Sequence, residues 1–316
     1  MTRPHRLVAV AAAAMLLIAT QAGTVSARKG GDGCLEKPLP PARVGVQLFT
    51  YGSGGAIAAD GIEAVIAHMA EVGMRNIERF GGTFGLTLED YDALYDTYGV
   101  RPVASHGSLD LADAEAEIAE AKLLGQKYIG SGGFGEPGFG SLEDTLQTAA
   151  NLNAFGELAR KQGLTVYGHN HDAEFATMYP YDLDGDGVTE PTPVIEILLA
   201  ETDPRYVDFE IDIHWARIGL AGGRGDPNLA ANLADPSNQA ELIAFLERWS
   251  DRISMLHIKD TAADGSITDV GVGTTDWDAV LEAADKVKYV FVEYDGTPDA
   301  YFTAENGFEY LTCLEV

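Results

Sequence analysis

Short apolar runs alternate along the chain with longer stretches of helical period. Runs of this kind, bounded by glycine and polar residues, are typical of buried strands. We predict eight strands, at residues 44–49, 74–78, 101–105, 127–129, 164–167, 207–212, 253–257 and 288–293. Amphipathic patterns predict helices in seven of the eight positions that follow strands, at residues 58–72, 88–98, 112–124, 142–162, 193–200, 238–249 and 277–286. Repeated strand and helix units indicate a parallel sheet.

Eight such units between residues 44 and 293 predict a closed (β/α)8 TIM barrel in a single domain covering residues 44–316. This is the usual extent of that architecture, and an open doubly wound sheet is the alternative. Thr87 and Ser141 are placed to cap helix starts, each with an Asp three positions later. Four glycines follow predicted helices, where a left-handed residue ends a helix: Gly73, Gly99, Gly125 and Gly163.

Residues 1–27 have the pattern of a secretory signal peptide. Arg3 and Arg6 precede the apolar run 7–19, and Val25 and Ala27 are the small residues of a cleavage site. The alternative is a membrane anchor, for which the run is short. We therefore expect a secreted, periplasmic or cell-surface protein with a Gly/Pro-rich lead-in at residues 28–43.

Two cysteines, Cys34 and Cys313, lie near the two ends of the mature chain. Barrel termini commonly lie close together, and export places the chain in an oxidising compartment. The sequence thus favours one disulfide between them, against the alternative of two free buried thiols.

The formal net charge of −28 limits the partners of the protein. A polyanion of this size repels phosphate backbones and anionic lipid surfaces, so we expect no nucleic acid partner and no membrane partner in the mature form. The acidic residues are spread along the chain, as on a solvated surface. Oligomeric state is not predicted by this pattern.

Residues that bind metals or transfer protons lie where four predicted strands end. His169, His171 and Glu174 follow the fifth strand, and the next three carry Asp212, His257 and Glu293. In a barrel these ends meet at one face, where enzymes of this architecture place their sites. Carboxylates with an imidazole suit Mn²⁺, Mg²⁺, Co²⁺ or Zn²⁺. Our first-choice ligands are Glu174, Asp212, His257 and Glu293; taken singly, each is more often a solvated carboxylate or a hydrogen-bonded histidine.

Other polar and aromatic residues lie close to the same strand ends. Glu174 and Glu293 are the predicted acid and base, and His106, His169 and His171 are predicted to assist them. The predicted substrate-binding residues are Phe49, Glu78, His214, Trp215, Arg217 and Lys259. Hydrogen bonds within loops, core packing or surface ion pairs are the alternative for each.

Two loops have patterns of their own. An acidic insert near residues 180–192 places Asp182, Asp184, Asp186 and Glu190 at alternate or near-alternate positions, which predicts either a structural Ca²⁺ site or a cluster of Asx turns. The glycine-rich segment 130–135 resembles a dinucleotide-binding loop, but no helix pattern opens at its end. A mobile loop over the barrel mouth is the interpretation we favour.

The sequence resembles the sugar isomerase and epimerase family with the xylose-isomerase-like barrel. The resemblance covers nearly all of the mature chain and rests on residues 44–49, 169–175, 257–260 and 271–273, on Asp212 with Trp215, on Asp276 with Trp277, and on Glu293. It implies a metal bound by carboxylates and a histidine, and chemistry beside a sugar carbonyl. Many relatives end the fifth strand with Glu, whereas this chain has His169 there, so the ligand among His169, His171 and Glu174 stays open.

These observations predict an exported, divalent-metal-dependent isomerase or epimerase that removes a proton next to the carbonyl of an unphosphorylated sugar or glycoside. The alternatives on the same site are a keto-glycoside lyase and a hydratase. A non-catalytic sugar-binding protein and a phosphodiesterase belong to other classes, and the acidic charge disfavours the latter.

Overall fold

The predicted barrel is confirmed by a computed structural model that describes residues 33–316; the predicted signal peptide lies outside the described residues. The barrel strands are β1 Val44–Gln47, β2 Asn76–Phe80, β3 Arg101–His106, β4 Tyr128–Ile129, β5 Thr165–His169, β6 Val207–Asp212, β7 Ile253–Ile258 and β8 Tyr289–Val292. These eight parallel strands form one sheet in the order β3-β2-β1-β8-β7-β6-β5-β4, and a parallel bridge between His106 and Gly130 links its two edges.

Helices follow the strands and cover the outside of the barrel. Thr87 and Ser141 accept backbone hydrogen bonds from Asp90 and Asp144, as their spacing predicts. The described helices of four residues or more are Phe49–Ser53, Ala56–Asp60, Ile62–Val72, Leu88–Tyr98, Ala114–Leu123, Leu142–Arg160, Ala173–Ala176, Val194–Glu201, Ile213–Leu220, Leu229–Ala234, Pro236–Trp249, Trp277–Ala283 and Ala300–Thr312. None of them is long and apolar enough to cross a membrane.

The eighth helical position is filled by Ala300–Thr312, which the apolar pattern did not predict. Its interior Gly307 lowers helix propensity. A Cβ atom at Gly307 would lie only 2.7 Å from the side chain of Val292, so the glycine lets this helix pack closely on β8. Asp299 caps the helix by accepting a hydrogen bond from the backbone of Phe302.

The predicted disulfide between Cys34 and Cys313 is present. Their Cα atoms lie 5.4 Å apart, within the usual range for a bridge, and 279 residues separate them in sequence. Closing so long a loop restricts the unfolded chain, and bridges of this kind contribute roughly 2 to 4 kcal/mol to the free energy of unfolding. The bond fastens the segment before β1 to the end of the last helix.

Candidate active site

The carboxyl ends of the strands carry a buried group of acidic, basic and imidazole side chains. Asp212 ends β6 and His257 lies in β7, one residue from its end, while Glu293 directly follows β8. Each of the three side chains is at most 5 % exposed. Parallel strands of a barrel all end on the same side, so residues far apart in sequence meet here.

Asp212, His257 and Glu293 form what we call the outer group. Their ligand atoms lie within 4.8 Å of one another, with His257 Nδ1 2.7 Å from Glu293 Oε2 and 3.9 Å from Asp212 Oδ2. The buried ammonium of Lys259 lies 2.9 Å from both carboxylates and 3.0 Å from Asp295. The outer group therefore combines oxygen and nitrogen donors with one fixed positive charge.

A second set of side chains lies on the other edge of the His257 ring, and we call it the inner group: Glu78, His106, His169 and Glu210. His257 Nε2 lies 2.5 Å from Glu78 Oε2 and 2.9 Å from Glu210 Oε2. Glu210 precedes Asp212 by two residues on the same face of β6, so it lies one layer deeper in the barrel. The inner group is thus continuous with the outer group through one imidazole.

Two further residues fix the carboxylate of Glu78. Gln47 Nε2 donates a hydrogen bond of 2.7 Å to Glu78 Oε2, and the hydroxyl of Tyr167 donates to Glu78 Oε1. Gln47, Tyr167 and Glu78 are completely buried. The position of this carboxylate is therefore set by β1 and β5 as well as by its own strand.

Burial and the crowding of carboxylates shift the pKa values of this site. Burial raises the pKa of Asp212 to about 6, and burial together with the nearby Glu210 raises that of Glu78. Burial alone would lower the pKa of His257, but the carboxylates of Glu210, Glu293 and Glu78 outweigh it and raise that pKa well above its usual value. In the metal-free site, protons thus compensate part of the negative charge.

The residues of the outer group fit a divalent metal ion. Among the described residues, Asp212 Oδ2 and His257 Nδ1 are fully buried side-chain atoms without a hydrogen bond of acceptable geometry, although Lys259 and Glu293 lie close to them. Buried polar atoms are rarely left in this state, because an unsatisfied group costs about 1 to 3 kcal/mol. A metal bound by Asp212, His257 and Glu293 would use both Asp212 Oδ2 and His257 Nδ1. The ring centre of His169 lies 4.5 Å from that of His257.

A cavity of about 260 Å³ opens beside both groups. It is large enough for a small sugar, and its lining combines ionisable groups with an apolar side. The lining residues are Phe49, Phe80, Gly81, His106, Gly132, His169, His171, Lys259, Glu293 and Asp295. Larger surface grooves elsewhere lack this concentration of buried ionisable groups.

Two aromatic rings form the apolar side of the cavity. Phe49 packs edge to face on Phe80 with ring centres 5.2 Å apart, and both residues line the cavity. Their faces suit the apolar surface of a sugar ring. Trp215 is not among the lining residues; its ring centre lies 5.8 Å from that of His171, and the Lys259 ammonium lies 5.5 Å from the centre of the Trp215 ring.

The structure does not bring Glu174 to either group. The fifth strand ends at His169, and Glu174 lies in the short helix Ala173–Ala176, where it accepts a hydrogen bond from the backbone of His171. Its carboxylate is buried, which raises its pKa. Glu174 therefore holds the loop, whereas His169 occupies the strand end beside His257.

His214 and Arg217 also lie away from the cavity lining. Asp212 caps the helix Ile213–Leu220 by accepting from Trp215, so the strand alternation that would have aimed His214 inward ends at Asp212. His214 Nδ1 instead lies 2.9 Å from the hydroxyl of Thr261. Arg217 donates to side chains of neighbouring loops and helices, including Thr274 and Asn238.

The acidic insert forms a hairpin of Met178–Tyr181 and Glu190–Pro193. Ligand atoms of Asp182, Asp184 and Asp186 lie within 4.8 Å of one another in its loop, while Glu190 belongs to the second strand and not to this cluster. The carboxylates accept backbone hydrogen bonds from Gly185, Asp186, Gly187 and Val188, as in Asx turns. A calcium site here stays a prediction.

Strand alternation in the sequence places Glu210 on the same face as Asp212 and Asp295 on the same face as Glu293, but neither was predicted as a ligand, a catalytic residue or a substrate-binding residue. In the structure Glu210 contacts His257, and Glu293 and Asp295 both contact Lys259. Gln47 was not assigned to the site either. Gln47 had no such signal, since its role depends on the position of Glu78 across the barrel.

The fold can be compared with solved structures, although no protein-family model and no curated protein matches the sequence. A sugar phosphate isomerase/epimerase from Parabacteroides distasonis shares 21 % identity over 89 % of this chain and 97 % of its own, with a TM-score of 0.64. A D-allulose 3-epimerase from Methylomonas sp. in complex with D-allulose shares 14 % identity over 88 % of this chain and 97 % of its own, with a TM-score of 0.58. The IOLI protein with a bound zinc atom shares 16 % identity over 85 % of this chain and 95 % of its own, with a TM-score of 0.57.

These similarities cover the barrel from end to end. The strand order and the alternating helices described above agree with them. At such identities the comparison establishes the fold. The chain therefore has the xylose-isomerase-like TIM-barrel fold of the sugar isomerases and epimerases to which it is similar.

Proposed function

We propose that the protein is an exported, divalent-metal-dependent sugar isomerase or epimerase that removes a proton next to the carbonyl of an unphosphorylated sugar. The observation that carries this proposal is the outer group: Asp212, His257 and Glu293 converge beside the cavity, and two of their buried ligand atoms make no hydrogen bond of acceptable geometry. Similar solved structures include a sugar phosphate isomerase/epimerase and a D-allulose 3-epimerase that holds D-allulose, and another similar structure holds zinc.

The metal site is assigned to Asp212 Oδ2, His257 Nδ1 and Glu293. A divalent ion held there would polarise a substrate carbonyl or hydroxyl and so acidify the neighbouring carbon. Glu78 and Glu210 contact His257 Nε2, and they keep a proton on that nitrogen so that Nδ1 presents its lone pair to the outer group.

Proton transfer is assigned to the ionisable side chains that line the cavity. Burial, reinforced by Lys259, lowers the pKa of His171 to about 4, so its imidazole is neutral near pH 7 and can accept a proton. Burial opposes a charge on His106, but Glu78 and Glu210 raise its pKa, so this imidazole is a proton donor while no metal ion is bound to it. Glu293 reaches the cavity as a second acceptor, and the Lys259 ammonium stabilises negative charge that develops on a substrate oxygen.

An unphosphorylated substrate agrees with the charges around the cavity. Lys259 is the one Lys or Arg side chain among the lining residues, and three carboxylates already surround it. A phosphate dianion would meet Glu293 and Asp295 without a free cation to hold it. A neutral sugar avoids this repulsion.

Exchange of a carbon-bound proton with solvent tests the reaction. We expect the protein with Mn²⁺ to incorporate deuterium from heavy water into a sugar from a panel of aldoses, ketoses and keto-glycosides, as measured by NMR and mass spectrometry. Chelator should abolish the exchange and added Mn²⁺ should restore it, because the carbon acid needs the bound cation.

The competing outcomes of that experiment are distinct. Exchange accompanied by release of an aglycone would identify a lyase. Saturable sugar binding without exchange or product would identify a binding protein and contradict the proposal. Turnover of sugar phosphates alone would contradict the assigned substrate class.

Export is supported by the signal-peptide pattern of residues 1–27 and by the bridge between Cys34 and Cys313, which needs an oxidising compartment. We expect the mature protein, isolated from outside the cytoplasm of a secreting host, to begin at Arg28 when its amino terminus is sequenced. Recovery of the full chain in the cytoplasm with two free thiols would contradict this proposal.

A further inference from the structure

We propose that the inner group of Glu78, His106, His169 and Glu210 binds a second divalent metal ion, on the opposite edge of the His257 ring from the outer group. The inference concerns metal content and does not depend on which sugar reaction the protein catalyses. The inner group is fully buried except for His106, whose side chain is 13 % exposed and borders the cavity.

The spacing of the inner donors matches a small coordination sphere. His106 Nε2 lies 3.3 Å from Glu210 Oε2 and 3.3 Å from Glu78 Oε1, and His169 Nδ1 lies 3.1 Å from Glu210 Oε2. With metal–ligand bonds of about 2.0 to 2.1 Å, two ligands of a tetrahedral Zn²⁺ site are about 3.3 Å apart. The ligand atoms of His106, His169 and Glu210 all lie within 4.8 Å of one another. Glu78 Oε1 lies at a ligand separation from His106 and can serve as a further oxygen donor.

Glu210 also has an atom that the metal-free network does not use. Its Oε1 is buried and has no hydrogen-bond partner among residues 33–316, and the side chain as a whole is inaccessible to solvent. Its other oxygen, Oε2, is crowded by three imidazoles, those of His106, His169 and His257. A buried carboxylate of this kind is commonly explained by a bound ion.

The outer group and the inner group cannot share a single ion. His257 presents Nδ1 to Glu293 and Nε2 to Glu78 and Glu210, and the two ring nitrogens point in different directions. An ion held by Asp212 and Glu293 therefore leaves the inner donors unoccupied.

Charge balance favours two ions over one. Within residues 33–316, the connected cluster contains five carboxylates, those of Glu78, Glu210, Asp212, Glu293 and Asp295. Lys259 is the one lysine or arginine of this part of the chain that contacts them directly. With all carboxylates ionised and all histidines neutral, four negative charges remain. One divalent ion would compensate half of them and two would compensate all, which matters because uncompensated charge is costly in a buried site.

The donor set selects the kind of metal. Two imidazoles favour Zn²⁺, Mn²⁺ or Fe²⁺ over Ca²⁺ and Mg²⁺, which prefer oxygen ligands. Because His106 and His169 line the cavity, an ion bound to them would lie beside the bound substrate as well.

Metal counting tests the inference directly. The full mature protein, stripped with chelator, is titrated with Zn²⁺ in a calorimeter and analysed by elemental mass spectrometry, in excess Ca²⁺ so that sites made of carboxylates alone are filled. We expect about two Zn²⁺ per chain. The variants His106→Gln and Glu210→Gln should each bind about one Zn²⁺ per chain, because each loses the inner ion. Asp212→Asn should also bind about one, because it loses the outer ion.

A matched control and a second measurement make the result decisive. His68→Gln removes a half-buried imidazole paired with Glu305, outside the site, and should still bind two ions. A stoichiometry of one in the unmodified protein, or two in folded His106→Gln/Glu210→Gln, would overturn the inference. If the variants do not fold, the absorption of the Co²⁺-loaded unmodified protein decides: saturation at one equivalent refutes the second site, and a second spectroscopic step at two equivalents supports it.

Discussion

Replacing Glu293 with Gln is expected to lower kcat/KM by about a thousandfold and to weaken binding of the outer metal ion by at least about 100-fold. Gln keeps the size of the side chain but removes the charge that faces His257 Nδ1 at 2.7 Å and Lys259 at 2.9 Å. General acid–base catalysis alone contributes roughly 10² to 10⁴ in rate, and loss of a metal ligand adds to this. Steady-state kinetics and calorimetric titration with Mn²⁺ measure the two effects.

Stability should fall together with activity in this variant. Burial opposes the charge of Glu293, but Lys259 and His257 outweigh burial and hold the pKa of this carboxyl well below its usual range, so the ionised form is stabilised in the folded protein. Breaking a buried ion pair usually costs about 3 to 5 kcal/mol, and we therefore expect the metal-free Tm to fall. The control Glu282→Gln, an exposed carboxylate paired with Lys37, should leave kinetics and Tm unchanged. A large fall in Tm together with near-normal kcat/KM would refute the assigned role of Glu293.

The fold was predictable because its signals are local and repeated. Most residues of the barrel strands are buried, so several strands contain short apolar runs, as in Tyr289–Val292. The convergence of the candidate ligands in the outer group followed from a general rule, since the ends of parallel strands meet at one face of a barrel. Asp212, His257 and Glu293 could thus be grouped without knowing any distance between them.

The directions of His214 and Glu174 could not be predicted, because they depend on the residue at which a strand ends and a helix begins. His214 was expected to share the inward face with Asp212, but the chain turns into a helix capped by Asp212 and carries His214 to Thr261. Glu174 was expected at the metal because of its position in the motif 169–175, yet a helix that begins at Ala173 directs it to the loop backbone. One residue of difference in a strand end reverses the direction of a side chain.

The inner group shows a different limit of sequence reasoning. Glu78 and Glu210 lie in strands far apart in sequence, and each has other polar residues beside it in its own strand. Their convergence on His257 Nε2 depends on the register of the closed sheet, in which Asp212 pairs with His257. Pairwise contacts across a barrel interior are the information that a single sequence leaves undetermined.

Replacing Lys259 with Met is expected to destabilise the metal-free protein by about 3 to 5 kcal/mol, because it removes the ammonium that lies between Asp212, Glu293 and Asp295. Lys259 is only 1 % exposed, so water cannot replace its charge. The same change should lower kcat by about 100-fold or more, since a buried cation facing the cavity is the strongest available stabiliser of a developing oxyanion.

Metal ions distinguish this electrostatic role from ordinary packing. In Lys259→Met the divalent ion supplies the positive charge that the carboxylates have lost, so the rise in Tm on adding saturating Mn²⁺ should be larger than in the unmodified protein. The control Lys286→Met removes an exposed lysine paired with Asp251 and should change neither quantity. If Lys259→Met is destabilised equally with and without Mn²⁺, the lost interaction is packing of the side chain; a larger metal-induced rise instead means that the lysine and the ion compensate the same carboxylates.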